Sequence, residues 1–244
     1  MSDALVVNEI YLSLQGESTF AGLPCVFVRL TACDLRCSYC DTAYAFTEGK
    51  KIPLSEVLQK VRDLTAPFQQ QPGSMRLPLV ELTGGEPLLQ ANSLPLMKQL
   101  CDDGFTVLIE TSGVHDISQI DSRVRVIMDL KCPSSGEAAR NRQGNISSLK
   151  PIDEVKFVIG TVEDYEWSKR ALTEHDLSKR CTVLFSWVAP LTEAQHHQSL
   201  KTVPEGQTPL SRRELAERII ADKLPVRFQV QMHKVIWSPD ARGV

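Results

Sequence analysis

The chain has 244 residues, 42% of them hydrophobic and 23% charged, with a formal net charge of −3. That is the composition of one globular domain of ordinary size, and a charge so near balance gives no reason to expect a nucleic-acid or membrane surface. No apolar run approaches the roughly 20 residues that a membrane-crossing helix needs, and the seven cysteines with no secretory leader point to a reducing compartment, the cytoplasm.

Residues 5–17 run from an apolar stretch into the polar cluster Gln15-Gly16-Glu17. Gly16 lets the backbone approach another group closely; taken alone the cluster reads as a turn after a strand. Cys25 to Leu30 is a strand rich in β-branched and aromatic residues. Arg29 interrupts it, and a charge there must be paired or face a pocket. Its planar fork suits a carboxylate ligand; an ordinary salt-bridged arginine is the equal alternative.

The stretch Cys33-Asp34-Leu35-Arg36-Cys37-Ser38-Tyr39-Cys40 follows, in the pattern C-x-x-x-C-x-x-C. Thiolates are the soft ligands that iron–sulfur clusters, zinc and copper(I) prefer, and these spacings let one loop aim three sulfurs at a common point. A four-iron cubane takes four ligands, so three cysteines leave one iron free for a substrate or cofactor. A structural zinc ion wants four protein ligands, and here no second C-x-x-C appears and the nearest following histidine is His115. Cys25, Cys101 and Cys181 read as core residues, while Cys132 follows the candidate site residue Lys131.

Helical spacing of Leu54, Val57, Leu58, Val61 and Leu64 predicts an amphipathic helix, and 66–78 reads as a Pro- and Gln-rich loop. The strand 79–83 runs into Gly84-Gly85-Glu86-Pro87, where glycines free the backbone to present bare N–H and C=O groups. A helix over 93–101 follows, then strands 105–110, ending in Glu110-Thr111-Ser112-Gly113, and 124–130, ending in Asp129-Leu130-Lys131. The polar segment 133–150 reads as a mobile loop that orders over a ligand. Beyond it come strand 154–159, helix 163–172, strand 182–188, helix 211–222 and a last strand near 227–231. Ser211 and Glu214 form a capping box, with Leu215, Ile219 and Ile220 as the buried side of that helix. The order implies an α/β fold with ligands at the strand C-termini. About six mostly parallel strands are too few for a closed eight-stranded barrel, so the expectation is an open partial (β/α) barrel, one domain over 1–244 with a C-terminal extension.

The cysteine loop together with Gly84-Gly85-Glu86-Pro87 resembles the radical S-adenosylmethionine (SAM) superfamily. Leu14-Gln15-Gly16-Glu17, Arg29, Cys40-Asp41-Thr42, Thr83, Glu110-Thr111-Ser112-Gly113 and Gln231-Met232-His233-Lys234 narrow this to a resemblance to the 7-carboxy-7-deazaguanine synthase family. It runs over most of the chain and is weakest between 133 and 225. The resemblance implies ring contraction of 6-carboxy-5,6,7,8-tetrahydropterin to 7-carboxy-7-deazaguanine with loss of ammonia, on the route to queuosine. It implies a 4Fe-4S cluster on Cys33, Cys37 and Cys40, with SAM completing the open iron and yielding a 5′-deoxyadenosyl radical on one-electron reduction. Tyr39, Cys40 and Asp41 then lie beside the adenosine and Gly85 beside the methionine moiety, with Glu110 on the same cofactor side. Asp129-Leu130-Lys131 occupies the place of the family's SAM-contacting Ser-Pro-Lys, of which only the lysine matches. Leu14, Gln15, Gly16, Glu17, Arg29 and Thr83 are the implied pterin contacts, Arg29 for the carboxylate. Thr42 is the implied protein ligand of a magnesium ion (Mg2+) that orients the substrate. An electron donor such as flavodoxin and a homodimer are the implied partners.

The sequence also departs from the family. Met232 stands where the family has threonine, Ala189-Pro190 stands for a Gln-Pro stretch, and the chain continues through Trp237-Ser238-Pro239 to Val244, which could fold back into the site. Two other readings compete: a small activating enzyme that installs a glycyl radical on a protein, and a non-catalytic iron–sulfur or zinc protein used for binding or sensing.

Overall fold

A computed structural model describes residues 3–70 and 75–244. The part of the expected 66–78 loop at 71–74 lies outside the described residues. Among the described residues there is one nine-stranded sheet, ordered β3-β1-β2-β4-β5-β6-β7-β8-β9. The strands are β1 (Ala4–Leu14), β2 (Pro24–Leu30), β3 (Lys50–Pro53), β4 (Leu79–Gly84), β5 (Val107–Thr111), β6 (Arg125–Asp129), β7 (Glu154–Ile159), β8 (Thr182–Trp187) and β9 (Arg227–Gln229). Strands β2 and β4 to β9 are mutually parallel, while β1 and β3 add an antiparallel edge. The sheet ends on β3 at one side and β9 at the other, so the barrel is open as expected, with more strands than the sequence suggested. The strand no pattern betrayed is β3. Its four residues, two of them lysines, carry no apolar alternation and are extended only because Ala4 to Val7 pair with them. Lysines and a proline on an edge strand also discourage further pairing.

Helices α1 (Leu54–Thr65), α2 (Ser93–Asp102), α3 (Val162–Glu174), α4 (Leu177–Arg180), α5 (Arg212–Ala221) and α6 (His233–Ile236) complete the chain. None is long and apolar enough to cross a membrane, among the described residues. Alternation along each strand divides the sheet into two faces. Val26, Val28, Leu82, Ile109, Met128 and Phe157 pack on Val57, Leu96, Met97, Tyr165 and Leu215 of the helices in the main core. The opposite face starts apolar, with Cys25, Phe27, Leu79, Leu108 and Ile127 forming a small second core around Phe20. One or two steps further along the same strands the side chains turn polar, and that switch makes the site.

Phe20 is delivered by the turn after β1. Gln15 N–H donates to the Leu23 carbonyl and Gly22 N–H to the Gln15 carbonyl, both at 2.8 Å. The Glu154 carboxylate accepts from Thr19 N–H at 3.1 Å, and Gln229 donates to the Ser18 carbonyl. The turn therefore closes the floor of the half-barrel and fixes Gln15, Gly16 and Glu17 above it.

Two sequence expectations are corrected. Segment 133–150 is not a loose loop: it winds into three 3-10 turns, at Pro133–Ser135, Ala138–Arg140 and Gln143–Ser148. The Asn141 side chain bonds both N–H and C=O of Lys131, and the Asn145 amide donates to the carbonyls of Gly113 and His115. Composition reads as loop, but these asparagines satisfy the backbone that a loop would leave to water. Ile220 is 76% exposed, although Leu215 and Ile219 are buried as expected. The Ser211–Glu214 capping box is present.

Gly84 joins the sheet to the site. Its φ is +131°, and a Cβ there would lie 2.2 Å from the Leu30 carbonyl oxygen and 2.5 Å from the Leu30 nitrogen. Gly22 has φ +92° with open space around it. A left-handed conformation costs an L-residue about 1–2 kcal/mol. Thermal unfolding should therefore show a modest loss for Gly22→Ala and at least twice that loss for Gly84→Ala, since only the latter also collides with backbone. Equal losses would show that the close approach of β4 to β2 is not required.

Candidate active site

A cavity of about 520 Å³ opens at the C-terminal ends of the parallel strands. Every residue singled out from sequence as a site residue lines it except one, Leu130. Leu130 is 2% exposed and belongs to the main core. Alternation along β6 and its exit turns Asp129 and Lys131 to the cavity and Leu130 away, so its expected contact with the cofactor is corrected.

The cysteine loop forms one wall. It is seated on the glycine pair: Gly85 N–H donates to the Leu30 carbonyl at 3.1 Å and Glu86 N–H to the Ala32 carbonyl at 2.8 Å. A Cβ on Gly85 would meet the Ala32 oxygen at 2.0 Å. Gly85 thus spends its N–H on the end of β2, and the expectation of a bare N–H donor is corrected to one of close approach. Ala32 itself takes φ +81° to start the loop. Arg36 bonds the carbonyls of Cys33 and Leu35 and lies 4.2 Å over the Phe46 ring. Ser38 is held by the backbone of Ser134 and Ser135, and Asp34 by Arg140 at 2.6 Å and His115 at 3.3 Å. Glu86, fully buried, accepts from Thr111 Oγ1 and from the N–H and Oγ of Ser112. The Gly84–Pro87 and Glu110–Gly113 stretches are thereby one clamped unit.

Cys33, Cys37 and Cys40 all line the cavity. Burial pushes the Cys33 and Cys37 thiols up to about 11 and raises that of Cys40. Such thiols ionise when a metal takes the proton's place. No three His, Cys, Asp or Glu side chains among the described residues converge on a single ion. In a four-iron cubane each thiolate takes a different iron, so sulfurs spread around a shared cavity suit it. The Tyr39 hydroxyl and Asp129 Oδ1 are buried without hydrogen-bond partners. Both residues line the cavity beside the loop, and an unpaired buried polar atom is costly unless a ligand completes it. Lys131 bonds the other Asp129 oxygen at 2.7 Å. The three thiols and the unpaired Tyr39 and Asp129 atoms therefore fit a cluster with a polar ligand next to it. Thr42 Oγ1 lies 3.8 Å from Cys40 Sγ.

The opposite wall is a set of paired charges. Arg29 donates to Glu9 at 2.7 Å and to the Tyr11 hydroxyl at 2.9 Å, the salt-bridged alternative, and it also lines the cavity. Gln15 donates to Glu81 and accepts from Glu17 N–H. Lys156 reaches Glu17 at 2.8 Å and Glu110 at 2.7 Å, and Thr83 donates to Glu110 at 3.2 Å. Burial alone would raise the Glu17 carboxyl, but Lys156 and His233 outweigh it and hold it down at about 2. Burial, with Glu110 nearby, pushes Glu81 well up. Glu110 thus groups with Glu17 and Thr83.

The C-terminal segment roofs the site. Met232 N–H donates to the Gly16 carbonyl, and a Cβ on Gly16 would lie 2.4 Å from His233 Nδ1, which is why glycine stands there. Lys234 pairs with Asp41 at 2.5 Å and Gln231 donates to Glu17 at 3.0 Å. Residues 239–244, Val244 included, line the cavity, held by Gln195 on the Pro239 carbonyl and Arg242 on Glu48.

Sequence reasoning missed Glu9, Tyr11, Tyr44, Glu81, Lys131's partner geometry and Lys156. The criterion that singled out Arg29, a charge inside an apolar strand, applies equally to Glu81 in Leu79–Gly84 and Lys156 in Glu154–Ile159.

Residues 28–172 match the family model of the radical SAM superfamily. The 7-carboxy-7-deazaguanine synthase of Koribacter versatilis is 42% identical over 98% of this chain and 99% of its own length, and that of Chlorobaculum tepidum 40% identical over 98% and 97%. Two solved structures share the fold: QueE from Escherichia coli, with TM-score 0.69 at 22% identity over 94% of this chain and 95% of that one, and SuiB from Streptococcus suis bound to S-adenosylmethionine, with TM-score 0.55 at 14% identity over 82% and 48%. With the cysteine wall, the clamped glycine motif and relatives matching end to end, the chain belongs to the radical SAM superfamily and, within it, to the 7-carboxy-7-deazaguanine synthase family.

Proposed function

We propose that this chain converts 6-carboxy-5,6,7,8-tetrahydropterin to 7-carboxy-7-deazaguanine, the ring contracting as one nitrogen leaves as ammonia. The observation that carries the reading is that one cavity joins a three-thiol loop to a wall of paired acids and bases. A pterin carboxylate calls for a fixed cation and its amino-pyrimidinone edge for fixed acceptors, and that wall offers Arg29 and the Glu17 and Glu110 carboxylates.

Cys33, Cys37 and Cys40 hold a 4Fe-4S cluster with one iron left for SAM, and Gly85, Tyr39, Asp41, Asp129 and Lys131 border that ligand. Held there, the cluster with SAM would supply one-electron radical chemistry to the pterin. The protein's part is to bind, orient and keep water out. Glu9 and Tyr11 hold the Arg29 fork in one plane, leaving it aimed at the substrate carboxylate. Leu14, Gln15, Gly16 and Thr83 read the ring, with Gln15 fixed in one orientation by Glu81 and the Glu17 N–H. Thr42 contributes a hydroxyl to Mg2+, a cation that keeps most of its waters and borrows the rest from substrate. The tail ending at Val244 covers the mouth. A small reductant such as flavodoxin and a second copy of the chain are the proposed partners, and the cytoplasm the proposed compartment.

Anaerobic protein with reconstituted cluster, SAM, Mg2+, a reductant and the carboxypterin should yield the deazapurine absorbance and ammonia in equal amounts. SAM cleavage without consumption of the pterin would leave the superfamily chemistry standing and remove the substrate.

Arg29→Ala should raise the pterin KM about ten- to a hundredfold, the scale of a lost charge-assisted pair. An unchanged KM would show that Arg29 serves only Glu9. Thr42→Ala should raise the Mg2+ concentration needed for half-maximal turnover; the same requirement as the unaltered protein would remove Thr42 from the metal.

A further inference from the structure

We propose that Lys156 is the positioning residue of the pterin half of the cavity: reaching up from β7 between Glu17 and Glu110, its ammonium holds these two carboxylates at the spacing that receives the N–H edge of the ring. The inference rests on the substrate reading given above and adds to it a residue that neither motif contains.

The three side chains come from separate elements. Glu17 stands in the turn after β1, Glu110 near the end of β5 and Lys156 in the middle of β7. The Lys156 side chain is 8% exposed, and its nitrogen bonds Glu17 Oε2 at 2.8 Å and Glu110 Oε1 at 2.7 Å. The outer oxygens are pinned as well, Glu17 Oε1 by Gln231 at 3.0 Å and Glu110 Oε2 by Thr83 at 3.2 Å. Each carboxylate offers about four acceptor sites, so both keep lone pairs for a ligand while neither can rotate. A pterin presents a ring N–H and an exocyclic amino group side by side, two donors that need two fixed acceptors.

Without the ammonium, two like charges would face each other in a poorly solvated site. Other charged groups surround the clasp. Glu81 from β4 adjoins Glu110, Asp129 from β6 is engaged by Lys131, and Arg29 from β2 and His233 from α6 flank the opposite sides. Burial opposes charge on Lys156, yet Glu110 and Glu17 keep it well above the usual lysine range, while burial pushes Glu81 up. The clasp therefore sets two acceptors around one cation. With the lysine gone, the two carboxylates lose the group that holds them at one spacing.

The test uses the cluster-loaded enzyme with SAM. Lys156→Met should raise the pterin KM about ten- to a hundredfold, with a smaller fall in kcat, at the iron content and visible spectrum of the unaltered protein. Lys156→Arg, which keeps a cation between the two carboxylates, should restore most of the KM. Should Lys156→Met fail to fold, Glu110→Gln, which replaces one acceptor by a donor on a side chain of the same size, should show the same loss in KM. An unaltered KM in folded Lys156→Met, a loss not recovered by arginine, or an unaltered KM in Glu110→Gln would each overturn the inference. Failure of the unaltered enzyme to turn over the pterin would instead strike the substrate reading.

Discussion

A charge buried at the end of a parallel strand has to find its partner on another strand. The inner face of this sheet lines a cavity, so its charged side chains are only partly hydrated and need partners. The consequence is a set of pairs that tie separate segments together, Glu17 and Glu110 to Lys156, Glu9 to Arg29 and Asp41 to Lys234, while Asp129 and Lys131 pair within the exit of β6. Removing one partner of such a pair typically costs about 3–5 kcal/mol, because the other charge is left stranded. The pairs add less to net stability than that number suggests. What they fix is position, and a radical reaction needs its substrate held still and dry.

The same sheet that pairs the charges also seats the cysteines. Gly84 and Gly85 let the end of β4 run against Leu30 and Ala32 at distances no side chain would allow. Glu86 then reaches over to Thr111 and Ser112, so the turn after β4 and the turn after β5 move as one. The cysteine loop rests on that unit on one side and on the 3-10 turns of 133–148 on the other. Glu86 of the Gly-Gly-Glu-Pro stretch is therefore a fastener. It has no free oxygen to spend on a ligand beyond the four donors it already serves.

Much of this was legible in the sequence. Cysteine spacing and strand-terminal glycines pointed to the cysteine wall, and runs of β-branched and aromatic residues placed the parallel strands to within about two residues. Three kinds of information were not local. Strand β3 exists only through its pairing with β1. The 133–150 segment is ordered by Asn141 and Asn145, whose partners lie in other turns. The placement of Glu110 depends on Lys156, 46 residues away, which no pattern around Glu110 could announce. Leu130 and Ile220 were misjudged for a simpler reason: in each case one residue's step along an element decides between the two sides.

The central claim is that three cysteines leave one iron of a cubane open to SAM. It is tested most directly by electron paramagnetic resonance of the anaerobically reconstituted, reduced protein before and after SAM is added. A shift in the g-values of the cluster signal is the predicted result; a signal that SAM leaves unaltered would contradict the account.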